Sequence, residues 1–306
     1  LPKIGSTLQR TLALLNQLSD IPLVLVPTLR ADFPGVIRSG NVLAVLESKI
    51  YSGLGHYSTY KLDWWEYDPT TNVWTQKADF GGAGKRYAVA AALGSKIYVG
   101  TGNQGTNKKD WWEYDPTTDV WTQKADFGGT ARQRPVAVAL GSKIYLGTGI
   151  DVVSTKDWWE YDPTTDVWTQ KADFGGTARN QAVAVALGLK IYVGTGKDAV
   201  STKDWWEYDP TTDVWTQKAD FGGTARYGAV ASALGSKIYL GTGYDTTFKK
   251  DWWEYDPTTN IWTQKADFAG GRRVNALAAT VGPRLFVGQG ANYDQYNDWI
   301  LQVWNY

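Results

Sequence analysis

The sequence contains no cysteine, no methionine and a single histidine, His56. Without cysteine there is no disulfide, no thiolate metal site and no thiol nucleophile. With one histidine, zinc and non-haem iron centres built on paired imidazoles are excluded as well. A Ser-His-Asp triad would have to use His56, which stands in a loop without a motif around it and reads as an ordinary surface histidine. A charge excess of one sign is also missing: 31 basic residues face 31 acidic ones, which removes the whole-chain signature of nucleic-acid binding. No run of 18 apolar residues occurs, so no spanning helix and no membrane insertion are expected. The lack of cysteine suits any compartment. The lack of methionine, with Leu1 in first place, is read as a removed leader or as part of a longer product, which favours a secreted or periplasmic protein.

What is present is a period. The string Asp-Trp-Trp-Glu-Tyr-Asp-Pro begins at Asp63, Asp110, Asp157, Asp204 and Asp251, each 47 residues after the last. One more step reaches Asp298, where Asp298-Trp299-Ile300-Leu301 continues a worn copy. A step back from Phe80 reaches Phe33, inside Leu29-Arg30-Ala31-Asp32-Phe33. Within the second copy, Ala88–Leu93 is a run of small apolar residues and Gly94-Ser95 is a hairpin turn with glycine first. Lys96–Gly100, Trp111–Tyr114 and Val120–Lys124 follow as three further strands, the last two joined by Asp115-Pro116-Thr117-Thr118. Four antiparallel strands per period is one propeller blade. Small residues in the first strand suit the crowded axis, and the tryptophans suit the wider gaps between blades. The fold class expected is all-β, a six-bladed propeller over residues 23–306, in which Leu23–Arg30 pairs with Trp299–Trp304 to complete the last sheet and remove a free edge. Ser6-Thr7-Leu8-Gln9 matches a capping box with Leu8, Leu12, Leu15 and Leu18 on one face, so residues 1–22 are expected as a short helix or an irregular arm.

Gly-Thr-Gly after the second strand, Tyr-Asp-Pro-Thr-Thr, and a Trp five residues after that Pro resemble the kelch repeat of bacterial type over residues 23–306. The sequence departs in having Gly-Thr-Gly where kelch repeats usually show a glycine pair. The resemblance implies the propeller and admits a few enzymes. The copper-dependent galactose oxidases, similar by fold, need two His and a Cys-linked Tyr, which this chain cannot supply. The repeated carboxylates have structural duties: Asp68 and its equivalents open Asp-Pro turns, and Glu66, Glu113, Glu160, Glu207 and Glu254 are expected to pair with a neighbour inside the third strand. No catalytic residue, metal or cofactor is therefore expected.

Because the copies are so alike, their differences show where symmetry is broken. Nearly all fall in the connections entering the first strand and joining the second to the third, which share one face of an antiparallel blade. Loops on a rigid scaffold are where binding usually resides. A cation recurs there in every copy: Arg38, Lys85, Arg132, Arg179, Arg226 and Arg273. The structural reading pairs each with a carboxylate of its own or the next blade. Asp151, Asp198 and Asp245 offer three of them a local acid, and the other three lack one. Aromatic residues (His56, Tyr57, Tyr60, Tyr87, Tyr227, Tyr244, Phe248, Tyr293 and Tyr296) form an arc over blades five, six, one and two.

These sets place an off-axis ligand site at Arg38, Tyr57, Lys85, Arg86, Tyr87, Arg273 and Tyr293. The functional reading is a monomeric, non-catalytic binding module for an acidic glycan or a carboxylate-bearing peptide. The alternatives are a structural or adhesive scaffold module, and a propeller lyase or sugar epimerase using Arg and Tyr of the same face.

Overall fold

The computed structural model describes residues 28–292 and 298–302. The arm expected over residues 1–22, most of the expected closing strand, and Tyr293, Tyr296 and Trp304 lie outside the described residues.

In blade two the strands are Val89–Leu93, Lys96–Gly100, Trp111–Asp115 and Val120–Lys124, antiparallel and neighbours in chain order. Blade one (Val42–Leu46, Lys49–Gly53, Trp64–Asp68, Val73–Lys77) repeats the pattern, as do blades three to five, whose first strands begin at Val136, Val183 and Val230. Gly94 at the first hairpin has φ +60°, a conformation that glycine adopts freely. Gly100 is required for a different reason. It faces Trp111 across the sheet, and a Cβ there would lie 2.3 Å from the indole.

Six four-stranded sheets ring the axis with their first strands innermost, but the expectation of a six-bladed propeller needs correction. Five blades, not six, are single continuous stretches of chain. The remaining sheet is a composite: Leu277–Val281, Arg284–Gly288 and Trp299–Gln302 come from one end of the chain, and a two-residue outer strand, Thr28–Leu29, comes from the other. Thr28 pairs with Leu301 and Leu29 with Ile300. The reason is visible in the period. Forty-seven residues before Asn72 and Trp74 stand Leu25 and Pro27, which carry neither a side-chain oxygen nor an indole.

The core sits between blades rather than within them. The second strand is buried on both faces. Ile97 and Val99 pack with Val42, Trp64 and Phe80 of blade one, while Tyr98 packs with Ile144, Leu146 and Tyr161 of blade three. Aromatic rings interlock across each gap, as where Trp64 meets Trp121 edge-on at 5.3 Å and Phe80 meets Trp121 at 4.9 Å. A polar staple repeats beside them. The Ala78 amide of blade one donates to Asp119 Oδ1 of blade two at 3.0 Å, and the Trp121 indole donates back to the Ala78 carbonyl at 3.1 Å. The same staple ties Ala31, just past the outer strand of the composite sheet, to Asn72 and Trp74 of blade one. The third-strand glutamates accept from tyrosine hydroxyls of the second strand, Tyr98 to Glu113 at 2.7 Å being one of five. Burial and these bonds push the pKa values of Tyr51, Tyr98, Tyr145 and Tyr192 up.

Candidate functional site on the variable face

The cation recurring every 47 residues is buried in every sheet, with at most 3 % of its surface exposed. Each pairs with the aspartate that opens its own Asp-Trp motif: Arg38 with Asp63, Lys85 with Asp110, Arg132 with Asp157, Arg179 with Asp204, Arg226 with Asp251 and Arg273 with Asp298. Arg132 shows how complete the slot is. Its Nε donates to the Thr130 carbonyl. Its Nη1 donates to the Thr148 carbonyl, Thr155 Oγ1 and Asp157, and its Nη2 to Thr130 Oγ1 and Asp157. The Phe127 ring lies 4.9 Å from the guanidinium. Burial alone would raise the Asp157 carboxyl, but the bonds and charge of Arg132, with the Trp159 indole, outweigh it and hold the pKa below its ordinary value. Asp63, Asp204 and Asp251 are lowered in the same way. Among the described residues the Lys85 ammonium donates to Asp110 alone, and burial pushes its pKa down more than Asp110 lifts it.

This corrects the charge reading of the face. Arg38, Lys85 and Arg273 are not unpartnered cations at a channel mouth, because each is paired with the aspartate that immediately precedes its own third strand. Nor do the loop acids neutralise the ring. Asp245 instead binds Lys249 at 2.7 Å and Thr224 Oγ1 at 2.7 Å, and Asp151 and Asp198 are exposed without an ion pair among the described residues.

Of the expected site, Arg86 and Tyr87 do come together. Tyr57 is half-exposed on an outer ribbon of blade one, where His56–Tyr57 pairs with Thr59–Tyr60, and Tyr293 lies outside the described residues. What sequence reasoning missed is the ring two residues past each buried cation: Gly40, Tyr87, Arg134, Gln181, Gly228 and Asn275. All six have φ between +53° and +69°. Their backbones hydrogen-bond from blade to blade around the axis: Tyr87 N to Gly40 O at 2.7 Å, Arg134 N to Tyr87 O at 2.9 Å, Gln181 N to Arg134 O at 3.3 Å, Gly228 N to Gln181 O at 3.1 Å, and Asn275 N to Gly228 O at 2.8 Å. A signal for this ring existed in the sequence, since the position changes from each copy to the next while the cation two residues before it is kept.

The side chains of this ring surround an axial hollow of about 150 Å³, below which the first strands line the central channel with Ala, Val and Leu. The Arg134 guanidinium lies 4.1 Å from the centre of the Tyr87 ring, and that of Arg86 lies 5.1 Å away. Arg134 Nη1 donates to Gln181 Oε1 at 2.7 Å, and Gln181 Nε2 to Asn275 Oδ1 at 2.9 Å. The Nε atoms of Arg86 and Arg134 are buried without an acceptor. Among the described residues neither arginine forms an ion pair, and no acid lines the hollow. Around this mouth the loops hook one to the next. Gly105 N donates to the Tyr60 hydroxyl at 2.8 Å, Asn107 Nδ2 to Ile150 O at 3.3 Å, Asn180 Nδ2 to Ser154 Oγ at 3.0 Å, and Lys197 lies 4.0 Å from the Tyr227 ring. The face is held before any ligand arrives.

No family model matches the chain, and no curated protein matches it in sequence. Among solved structures it is similar to one titled "Structure of YjhT", with a TM-score of 0.79 and 17 % identity over 90 % of this chain and 97 % of that one. At that identity the likeness extends to the architecture alone: this chain is a β-propeller.

Proposed function

We propose that this chain is a non-catalytic, kelch-type binding propeller whose variable face takes an acidic ligand, a carboxylate-bearing glycan or peptide, at the axial mouth. The observation that carries the reading is the pair Arg86 and Arg134 around Tyr87, two cations and a ring with no neutralising carboxylate among the described residues. A charge-assisted bond in such a sheltered place contributes roughly 1.5–3 kcal/mol. Backbone conformation adds support. Tyr87, Arg134 and Gln181 are held in the left-handed region, which costs each of them about 1 kcal/mol or more, and Gly40 and Gly228 show that glycine serves the same backbone. Side chains kept at positions where glycine is the easier residue point to a use for them. The kelch assignment rests on the Gly-X-Gly, Tyr-Asp-Pro-Thr-Thr and Trp signature at constant spacing.

The test is calorimetric titration with trigalacturonate, a hexaglutamate peptide and neutral maltotriose. Binding of one of the acidic probes, weakened tenfold or more by Arg134→Ala and by the double change Arg86→Ala/Tyr87→Ala, is the expected outcome. Equal binding of maltotriose, or indifference to both variants, would overturn it.

A further inference from the structure

The loop tips of the variable face differ from blade to blade in charge and side-chain type. Its tips on blades three and four carry Asp151-Val152-Val153 and Asp198-Ala199-Val200, with Val152 89 %, Val153 70 % and Val200 73 % exposed. Valines this exposed on two adjacent loops are more than scattered surface apolar residues. Each loop is held by a backbone bond, Asp151 N to Val153 O and Asp198 N to Val200 O, so the two tips present the same shape. Neither aspartate has an ion pair among the described residues. Where blades three and four have Asp151, Thr155, Asp198 and Thr202, blade one has Tyr57 and Lys61 and blade two Gln104 and Lys108, and neither lysine is ion-paired among the described residues; the lysine at 109 recurs as Lys156 and Lys203, and Lys197 adjoins Asp198. The blades follow one another around the ring in chain order.

We propose that this face docks on a second copy of itself. A two-fold axis lying in the plane between two facing propellers, and running between blades two and three, exchanges blade two with three and blade one with four. Asp151 and its valines then meet Lys108 of the second copy, and Asp198 and Val200 meet Tyr57 and Lys61. The same pairs recur on the other side of the axis. An isologous contact needs one surface complementary to itself under such a rotation, and the difference between these tips supplies it. The two mouths face each other in this arrangement, so association and ligand entry compete. The inference does not depend on the acidic-ligand reading, and its readout is mass rather than ligand heat.

Sedimentation velocity of the purified chain at about 0.05 M and about 0.5 M salt tests it, because the contact is built from exposed charges that salt screens. A dimer at low salt that dissociates at least tenfold more readily at high salt is expected. Asp151→Lys/Asp198→Lys and Lys61→Glu/Lys108→Glu should each be monomeric alone while melting like the parent, and an equimolar mixture of the two should recover the dimer. A parent that stays monomeric at low salt, a dimer that neither variant weakens, or a mixture that fails to recover overturns the proposal.

Discussion

Two arginines two residues apart, Arg132 and Arg134, behave as if they belonged to different proteins. Arg132 is enclosed, has acceptors at Nε and both terminal nitrogens, and faces an aspartate of its own blade. Arg134 sits on a left-handed backbone at the mouth, with a buried Nε that has no acceptor and a tyrosine ring in place of a counter-charge. The difference is one of commitment. The first cation holds the loops to the third strand and recurs in all six sheets, whereas the second position changes from each copy to the next and shares only its backbone with its equivalents. Cationic character alone does not separate structure from function here. The count of satisfied donors does.

The sharpest break of this comparison removes the inner cation. Arg179→Ala leaves the half-buried Asp204 carboxylate without its cation and empties an enclosed slot, a loss of about 3 kcal/mol, and should lower the thermal midpoint by roughly 5 °C or more for a chain of this size. If calorimetry finds a shift no larger than that of a surface variant, the slot is not structural. A second effect appears in acid. The lowered pKa values of Asp63, Asp157, Asp204 and Asp251 contribute stability that is fully present above the ordinary carboxylate pKa and is lost as pH falls through the lower folded values. The thermal midpoint should therefore change little from neutral pH to about pH 5 and drop steeply below about pH 4. Asp157→Asn should lower the plateau and flatten the drop, and a parallel drop in that variant would remove the assigned cause.

The outer cation should behave in the opposite sense. Arg134→Gly relieves a left-handed arginine while losing its contact with Tyr87, so stability should stay within about 1 kcal/mol of the parent while acidic-ligand binding falls tenfold or more. A large destabilisation would put Arg134 with Arg132 after all. The smallest effect lies on the far face. Glu47 occupies the hairpin position where blades two to five have glycine, at φ +54°. Glu47→Gly should stabilise by about 0.5–1 kcal/mol without touching binding, which makes it the control for strain that serves no ligand.

Much of this architecture was legible because the repeat is nearly exact. The strands of blade two fall within a residue of where turn chemistry and β-branched runs place them, and the tryptophans fill the gaps between blades as their size requires. Closure was legible too: the worn last copy lacks a strand, and Thr28 and Leu29, inside the segment expected at that edge, pair with Leu301 and Ile300. The buried cations were visible as a period, and their partners were sought in the wrong loops. Spacing along the chain does not reveal that Asp157, 25 residues after Arg132, pairs with it, whereas the nearer Asp151 stays exposed. The axial ring was missed because its six residues share a backbone conformation and nothing chemical. No composition-based search groups Gly, Tyr, Arg, Gln, Gly and Asn.

That ring carries a consequence for how such a chain can change. The bonds that pass from each blade to the next at this position run through main-chain atoms, so the backbone place is fixed whichever side chain stands there, and Arg134, Gln181 and Asn275 add side-chain bonds to it. Four of the six sockets, those of Tyr87, Arg134, Gln181 and Asn275, already hold side chains on one backbone shape, whereas a Cβ at Gly40 or Gly228 would lie within 2.7 Å of a neighbouring side chain. A library varying Tyr87, Arg134, Gln181 and Asn275 together should retain a high fraction of folded members while altering what enters the opening. The mouth is in that sense a set of interchangeable letters on a fixed line of type.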